Sequence, residues 1–482
     1  MPVSSHYQGE RIHADLGSDF FDEVTAASFP NLVLRFRNQR HAATVGLDTL
    51  SENEWQNHFG AFQPLPDSFQ HPLALRYHGH QFGVYNPDLG DGRGFLFAQL
   101  RDVSTQRLLD LGTKGSGQTP WSRAGDGRLT LKGGVREILA SEMLEALGVE
   151  TSKSFSLFET GESLTRYDEP SPTRAAVLVR LSHSHIRIGT FQRLAYHQQT
   201  EAIERLVRHL ITYYFPALTG HADPVLALFD AAIGNVARMG AQYFAAGFVH
   251  GVLNTDNVTL LGESFDYGPW RFLPSYHPPF TAAYFDETGR YAFGRQPEAL
   301  LWALARLAET LLPLTGYEGL KKSLKKFLPA FKKNLATQTL ALLGLKASNE
   351  QAQEAQEIVS ALYQAMRETQ APFAQTLFDL FGGGDEKRLE RSPQAALYQT
   401  TLMADVITRI KTIPTHEKFN AAQDHVYFSL SRPTDLLIDE VEALWDPIAQ
   451  SDDWSLFEQH INAIRIKGEA YAPLLGSASL RP

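Results

Sequence analysis

Two short runs carry residue types that phosphoryl chemistry needs: His250-Gly-Val-Leu-Asn-Thr-Asp256-Asn257 and Phe265-Asp266-Tyr267-Gly268. Transfer sites built on the pattern His-x-Asp-x-x-x-x-Asn, followed by Asp-Phe-Gly, divide the work among three residues. The first Asp accepts a hydroxyl proton, while the Asn and the second Asp hold Mg²⁺. Asn257 falls in register with the metal-binding Asn, and Asp266 with the second Asp. The proton-accepting position is Val252, which cannot take a proton. The nearest carboxylate able to do so is Asp256, whose alternative role is to cap a tight loop turn. The two runs therefore point to a nucleotide and metal site whose chemistry departs from ordinary γ-phosphoryl transfer.

Upstream, one string occurs twice, as Gly90-Asp-Gly-Arg93-Gly94 and Gly125-Asp-Gly-Arg128. Glycines let the main chain approach closely, so such turns can offer backbone N–H groups and a guanidinium to phosphate oxygens. Each alone reads more readily as a tight surface turn. Their repetition upstream of a metal-type motif favours phosphate binding, although neither is a Walker A loop or a complete Gly-x-Gly-x-x-Gly fingerprint. Lys114, in Gly112-Thr-Lys-Gly115, follows an apolar run, and Glu137 lies near the start of a helical pattern. Kinase lobes pair such a Lys with such a Glu, and the order Gly loop, Lys, helix Glu, Asn, Asp is the kinase order. Arg180 and Arg187 flank Leu181-Ser-His-Ser-His-Ile186 and read either as bidentate phosphate clamps or as strand-edge charges. His183 and His185, two apart on an irregular segment, do not argue for a metal site.

These residues need elements to hold them. Phe95–Leu100, Arg107–Leu111 and Ala175–Leu181 are apolar runs that predict strands, and Val135–Leu147 has the period of a helix ended by Gly148. A sheet with one helix suits a small nucleotide-binding lobe. Glu201–Tyr214, Val225–Ala246 and Pro297–Leu312 predict long helices. Val258–Leu261 and Phe265 are predicted as strands of a hairpin that returns Asp266 beside Asn257. Beyond Leu320 the chain reads as almost wholly helical, broken at Phe381-Gly-Gly-Gly-Asp385 and Arg432-Pro433. Lysines interleave with apolar residues over Leu320–Leu335, which reads as a solvated face over a helical core rather than a membrane-surface helix.

The chain has 482 residues, is 43% hydrophobic and 20% charged, and carries a formal net charge of −10. Its length implies about three domain-sized units, and its acidity argues against a general nucleic-acid or membrane-surface binder. No apolar core of a secretion signal and no transmembrane run is apparent, so a cytoplasmic protein is expected. With no cysteine, disulfides, thiolate–zinc sites, iron–sulfur clusters and thiol nucleophiles are excluded. Any metal must use oxygen or imidazole ligands, which favours Mg²⁺ or Mn²⁺.

Further runs join those above: Tyr77-His-Gly-His-Gln-Phe-Gly83, Lys114-Gly-Ser-Gly-Gln-Thr-Pro-Trp-Ser-Arg-Ala-Gly-Asp-Gly-Arg128, Arg136-Glu-Ile-Leu-Ala-Ser-Glu142, Ser184-His-Ile-Arg-Ile-Gly-Thr-Phe191 and Gly289-Arg-Tyr-Ala-Phe293. Together with His250–Asn257 and Asp266-Tyr-Gly-Pro269 they span most of Tyr77–Leu312, and in them the sequence resembles the selenoprotein O family. The resemblance implies an α+β, protein-kinase-like two-lobed fold with a mixed α/β N-lobe, a mostly helical C-lobe and a C-terminal helical extension. The corresponding units are an N-terminal extension at 1–75, lobes at 76–195 and 196–315, and a helical region at 316–482. It implies transfer of AMP from ATP to Ser, Thr or Tyr hydroxyls of proteins, with ATP flipped relative to kinases so that the α-phosphate meets the hydroxyl. Carried over by motif, Gly90, Gly92, Arg93, Lys114, Asp126, Gly127, Arg180, Arg187 and Asp266 contact the nucleotide. Asn257 and Asp266 hold the metal, Asp256 is the base, and Glu137 orders Lys114. UTP remains open as a second donor and a monomer is expected. The alternatives are a kinase transferring the γ-phosphoryl group and an inert ATP-binding protein. Many relatives end in a redox-active cysteine or selenocysteine motif, and this cysteine-free chain has none. Gln99 stands where a more acidic residue is expected, and Gly112-Thr113 replaces the usual Gln-Leu; neither removes an assigned ligand.

Overall fold

The structure, a computed structural model, describes residues 3–167 and 169–476; the cysteine-free chain end at 477–482 lies outside the described residues. It is a mixed α+β architecture organised on one large antiparallel sheet. The strand order is Phe21–Glu23, Leu73–Leu75, Leu96–Arg101, Leu108–Lys114, Thr173–Ser182, Lys153–Leu164, Val33–Arg37. Gly9–Glu10 adds beside Leu96–Arg101, and Leu129–Thr130 beside Thr173–Ser182.

The apolar run at Thr173–Ser182 is explained by burial on both faces. Ala176 and Leu178 pack towards the helices, while Val177, Val179 and Leu181 face a second core with Trp55, Phe59 and Phe155. The N-terminal residues thus cover one sheet face, and Leu131–Ala146 covers the other, with Val135, Ile138, Leu139 and Met143 buried against it. Thr130 caps this helix by accepting from the Gly133 N–H at 3.1 Å, and Gly148, at φ 73°, ends it.

The predicted strands and helices of the first 320 residues are present, with two differences near the site. The strand that precedes Lys114 runs on through Gly112-Thr113, so Lys114 is its last residue, paired with Leu178. Gly112 is tolerated mid-strand because a Cβ there would lie 2.3 Å from His185 Nε2. The predicted hairpin between Val258–Leu261 and Phe265 does not form. Thr259 bridges Arg187 and Ser264 bridges Thr151. Backbone partners outside the segment account for this, since the Ile188 N–H donates to Val258 O and the Ser152 N–H to Ser264 O. The strands that do pair are Phe248–His250 and Trp270–Phe272, on either side of both motifs.

From Tyr317 onward the described chain is helical. Tyr317–Leu324 and Phe327–Leu342 bury Leu320, Phe327 and Phe331 and leave Lys321, Lys322, Lys325, Lys326, Lys332 and Lys333 exposed, the expected solvated face. Three glycines at 382–384 with positive φ make the break at Phe381–Asp385. Among the described residues no helix is long and apolar enough to cross a membrane.

Candidate active site

The two Gly-Asp-Gly-Arg turns meet. Thr119 Oγ1 donates to Asp91 O and Ser122 Oγ to Gly92 O, each at 2.5 Å, so the loop bearing the second turn is tied to the first. Glycine is required at the contact: a Cβ on Gly90 would lie 2.4 Å from the Trp121 ring, and one on Gly92 2.8 Å from Trp121 O. Both turns open onto a cleft of about 860 Å³ also lined by Lys114, Arg123, Arg166, Arg180, Arg187, Asp256 and Asp266. Cations predominate on its walls, which suits a polyanion.

At the back of the cleft, Lys114 is bonded to Glu137 on the helix Leu131–Ala146 and donates to Asp266 Oδ1 at 2.7 Å. Arg180 Nη1 lies 3.4 Å from the same oxygen. Burial alone would push the Asp266 carboxyl up, but Lys114, Arg180 and Arg93 together hold it well below the usual carboxylate range. Asp266 has φ 65°, unusual for a residue with a Cβ, and the strained backbone sits at the centre of the charge cluster. Arg187 is buried, with its guanidinium 4.0 Å from the Tyr77 ring centre, 3.5 Å from Asp91 Oδ1 and 3.3 Å from Asp256 O. Both Arg180 and Arg187 lie over the Phe265 ring, at 5.4 and 5.1 Å. The arginines left open by the sequence are therefore cleft residues.

The segment bearing Asp256 and Asn257 is a short 3₁₀ turn, Thr255–Asn257, held from several directions. The His80 N–H donates to Thr255 Oγ1 at 2.7 Å, and the Phe82 N–H and Tyr291 Oη donate to Asn254 Oδ1 at 3.1 and 2.6 Å. His250 joins this segment to the next motif, with Nε2 donating to Phe265 O at 3.2 Å and Nδ1 accepting from the Val252 N–H at 3.3 Å. Asp256 is buried and its Oδ1 has no hydrogen-bond partner among the described residues. Burial pushes its carboxyl up to about 6, against the opposing pull of its own backbone N–H and of Arg187. Gly79 closes over it: a Cβ there would lie 2.7 Å from Asp256 Oδ1.

Gly90, Gly92, Arg93, Lys114, Asp126, Gly127, Arg180, Arg187, Asp256 and Asp266 all line the one cleft. Asp126 is engaged there by Arg166 at 2.8 Å and caps the Arg128 N–H at 3.0 Å. Glu137 stands behind Lys114. Asn257 is buried rather than cleft-lining, and its side-chain amide donates to Val252 O at 2.9 Å. Tyr77, Asp91, Trp121 and Arg123, to which the sequence assigns no individual role, also line the cleft, and Gly79 abuts Asp256. Tyr77, Gly79, Trp121 and Arg123 sit inside runs that carry the family resemblance, which was the signal available. Asp91 sits inside the first repeated turn. His183 and His185 are bonded to Arg107 and Asp110, and no group of three or more metal-ligating His, Cys, Asp or Glu occurs among the described residues.

A family model described as "Protein adenylyltransferase SelO" matches residues 4–465. A protein of Trichormus variabilis named "Protein nucleotidyltransferase YdiU" is 41% identical over 94% of this chain and 94% of its own length. Proteins of the same name from Synechocystis sp. and Bradyrhizobium sp. are 42% and 36% identical, over 93% and 95% of this chain and 96% and 93% of their own lengths. Matched over most of its length by the family model and by these relatives, the chain belongs to the protein adenylyltransferase SelO family.

Proposed function

We propose that this chain is a protein adenylyltransferase that moves AMP from ATP to Ser, Thr or Tyr hydroxyls of proteins and releases pyrophosphate. One observation carries the reading: a cation-rich cleft in which both Gly-Asp-Gly-Arg turns converge on Lys114, Arg180, Arg187 and Asp266, while the usual base position is Val252. Family membership and the relatives' name, protein nucleotidyltransferase, support it. The arrangement is further read as kinase-like and two-lobed, with lobes at 76–195 and 196–315. The Lys114–Glu137 pair and the motif order favour that division.

Arg93, Lys114, Arg180 and Arg187 neutralise the polyphosphate, and Gly90, Gly92 and Gly127 let main-chain N–H groups approach it. Asp126 braces the second turn at the nucleotide. Glu137 acts through Lys114 as a positioning residue. Asp256 takes the acceptor's hydroxyl proton; the hydroxyl oxygen bonds to the α-phosphorus, the bond from that phosphorus to the β-bridging oxygen breaks, and pyrophosphate leaves. A carboxyl raised to about 6 is ionised near neutral pH yet more basic than a solvated one.

The donor set suits a hard divalent cation. Asp266 and Asn257 offer oxygen ligands, and Mg²⁺ or Mn²⁺ is ordinarily held by one or two carboxylates together with substrate phosphates, so a three-carboxylate cage is not needed. Such an ion supplies neutralisation of developing phosphate charge. Asn257 would hold it through its carboxamide oxygen, because its nitrogen donates to Val252 O. UTP is a second candidate donor. Intact mass spectrometry of a protein acceptor after incubation with enzyme, ATP and Mg²⁺ or Mn²⁺ tests the reading. An AMP adduct that disappears with Asp266→Ala is expected, and a phosphate adduct would contradict it.

A further inference from the structure

A second cavity, of about 410 Å³, shares no lining residue with the cleft. Its size is in the range of small-molecule sites. One wall is the C-terminal half of the helix Leu131–Ala146, the helix that carries Glu137. Most buried charges around it are matched. Glu142 pairs with Arg465 at 2.9 Å, Glu145 with Arg40 at 2.6 Å, and Glu150 with Arg238 at 3.0 Å.

Two half-buried charges are not matched. Among the described residues Arg107 has no carboxylate within 4.0 Å, and Glu263 has no cation within 4.0 Å. Both nevertheless rest on His183: Arg107 Nη2 donates to its Nδ1 at 2.7 Å, and Glu263 Oε2 accepts from its backbone N–H at 2.7 Å. Opposite charges are thus held on one residue without pairing with each other. The lining also includes Ser182, which is 3% exposed and whose Oγ has no hydrogen-bond partner among the described residues. Leu109, Leu181 and Leu261 supply apolar wall. Burial pushes the Glu263 carboxyl up to about 7, against the His183 N–H, Lys153 and Arg107, as expected of a carboxylate lacking a direct counter-charge. Buried polar groups left unmatched in a cavity are costly unless something completes them.

We infer that this cavity binds a free α-amino acid with a large apolar side chain, its carboxylate on Arg107, its ammonium on Glu263 and its side chain against Leu109, Leu181 and Leu261. An α-amino acid carries its two charges one carbon apart, which suits partners held by a single residue. A fatty acid would leave Glu263 unmatched, and an amine would leave Arg107 so. The inference does not depend on the adenylylation reading.

The test is calorimetric titration of the full chain with L-phenylalanine and L-leucine, and with N-acetyl-L-phenylalanine and L-phenylalaninamide, each lacking one charge. Saturable one-to-one binding of at least one free amino acid is expected, with either blocked form weaker by on the order of tenfold. Glu263→Gln should weaken the free amino acid similarly while leaving the N-acetyl form unchanged. No saturable binding of either amino acid up to about 10 mM, or equal binding of a blocked form, would overturn the assignment. Because the blocked ligands are tested on the unaltered chain, the outcome does not depend on whether a variant folds.

Discussion

Lys114 Nζ donates to Asp266 Oδ1 at 2.7 Å and is bonded from its other side to Glu137, so one ammonium ties the sheet, the helix Leu131–Ala146 and the second motif together. The pairing is buried, with Lys114 6% and Glu137 3% exposed at the side chain. Lys114→Met removes the charge proposed to meet the phosphates and should lower kcat/KM by about 100-fold. Glu137→Gln keeps a hydrogen-bonding group near the ammonium and should cost about tenfold. Steady-state adenylylation rates check both, and equal rates for Glu137→Gln and the parent would remove Glu137 from the account.

Arg187 combines a stack on Tyr77 with polar contacts to Asp91 and Asp256. Burial alone would lower its pKa, while Tyr77, Asp91, Asp266 and Asp256 hold it protonated. A lysine cannot reproduce both the planar stack and the fork. Arg187→Lys should therefore raise the KM for ATP by about tenfold, whereas Tyr77→Phe, which keeps the ring, should change it little. Initial-rate measurements across ATP concentrations distinguish the two.

Gly79 abuts Asp256 so closely that a methyl group has no room, its Cβ falling 2.7 Å from Oδ1 and 3.2 Å from Cγ. Gly79→Ala must move the carboxylate while leaving the arginines and turns in place. The expected result is a fall in kcat of about 100-fold with ATP affinity, measured by calorimetry, close to that of the parent.

Asp256 also makes apo stability depend on pH. Its folded pKa, about 6, exceeds the ordinary value of 3.8, so the folded state binds the proton more tightly than the unfolded state. Stability from this group is present below about pH 4 and is lost as pH rises through 6. At pH 7 the ionised carboxylate costs on the order of 3 kcal/mol, and Asp256→Asn should remove that cost. Thermal melts without nucleotide or metal should show Asp256→Asn with the higher Tm at pH 7 and the difference shrinking towards pH 4. A lower Tm for the variant at pH 7 would contradict this.

The parts legible from sequence are those whose signal is local. The apolar run at 175–181 and the helical period at 135–147 depend on which faces are buried, and both appear where expected. The repeated turns and the two motifs likewise line or support a single cleft. The hairpin around Gly262 failed because its backbone partners come from Thr151, Ser152, Arg187 and Ile188, remote segments that no local pattern announces. The roles of Gly79, Tyr77 and Asp91 are hidden in the sequence for the same reason. Their roles consist of contacts to Asp256 and Arg187, and those contacts exist only once the chain has folded. The strand Lys153–Leu164 carries Ser, Thr and Gly among its apolar residues and bulges at two places, which blurs its alternation.

In the proposed reaction the α-phosphorus, not the γ-phosphorus, is attacked. Parallel incubations of enzyme and protein acceptor with ATP labelled at the α- or the γ-phosphate, resolved by gel and autoradiography, address it directly. Label is expected on protein from α-labelled ATP alone, and to vanish with Asp266→Ala. Label retained from γ-labelled ATP and absent from α-labelled ATP would contradict the account.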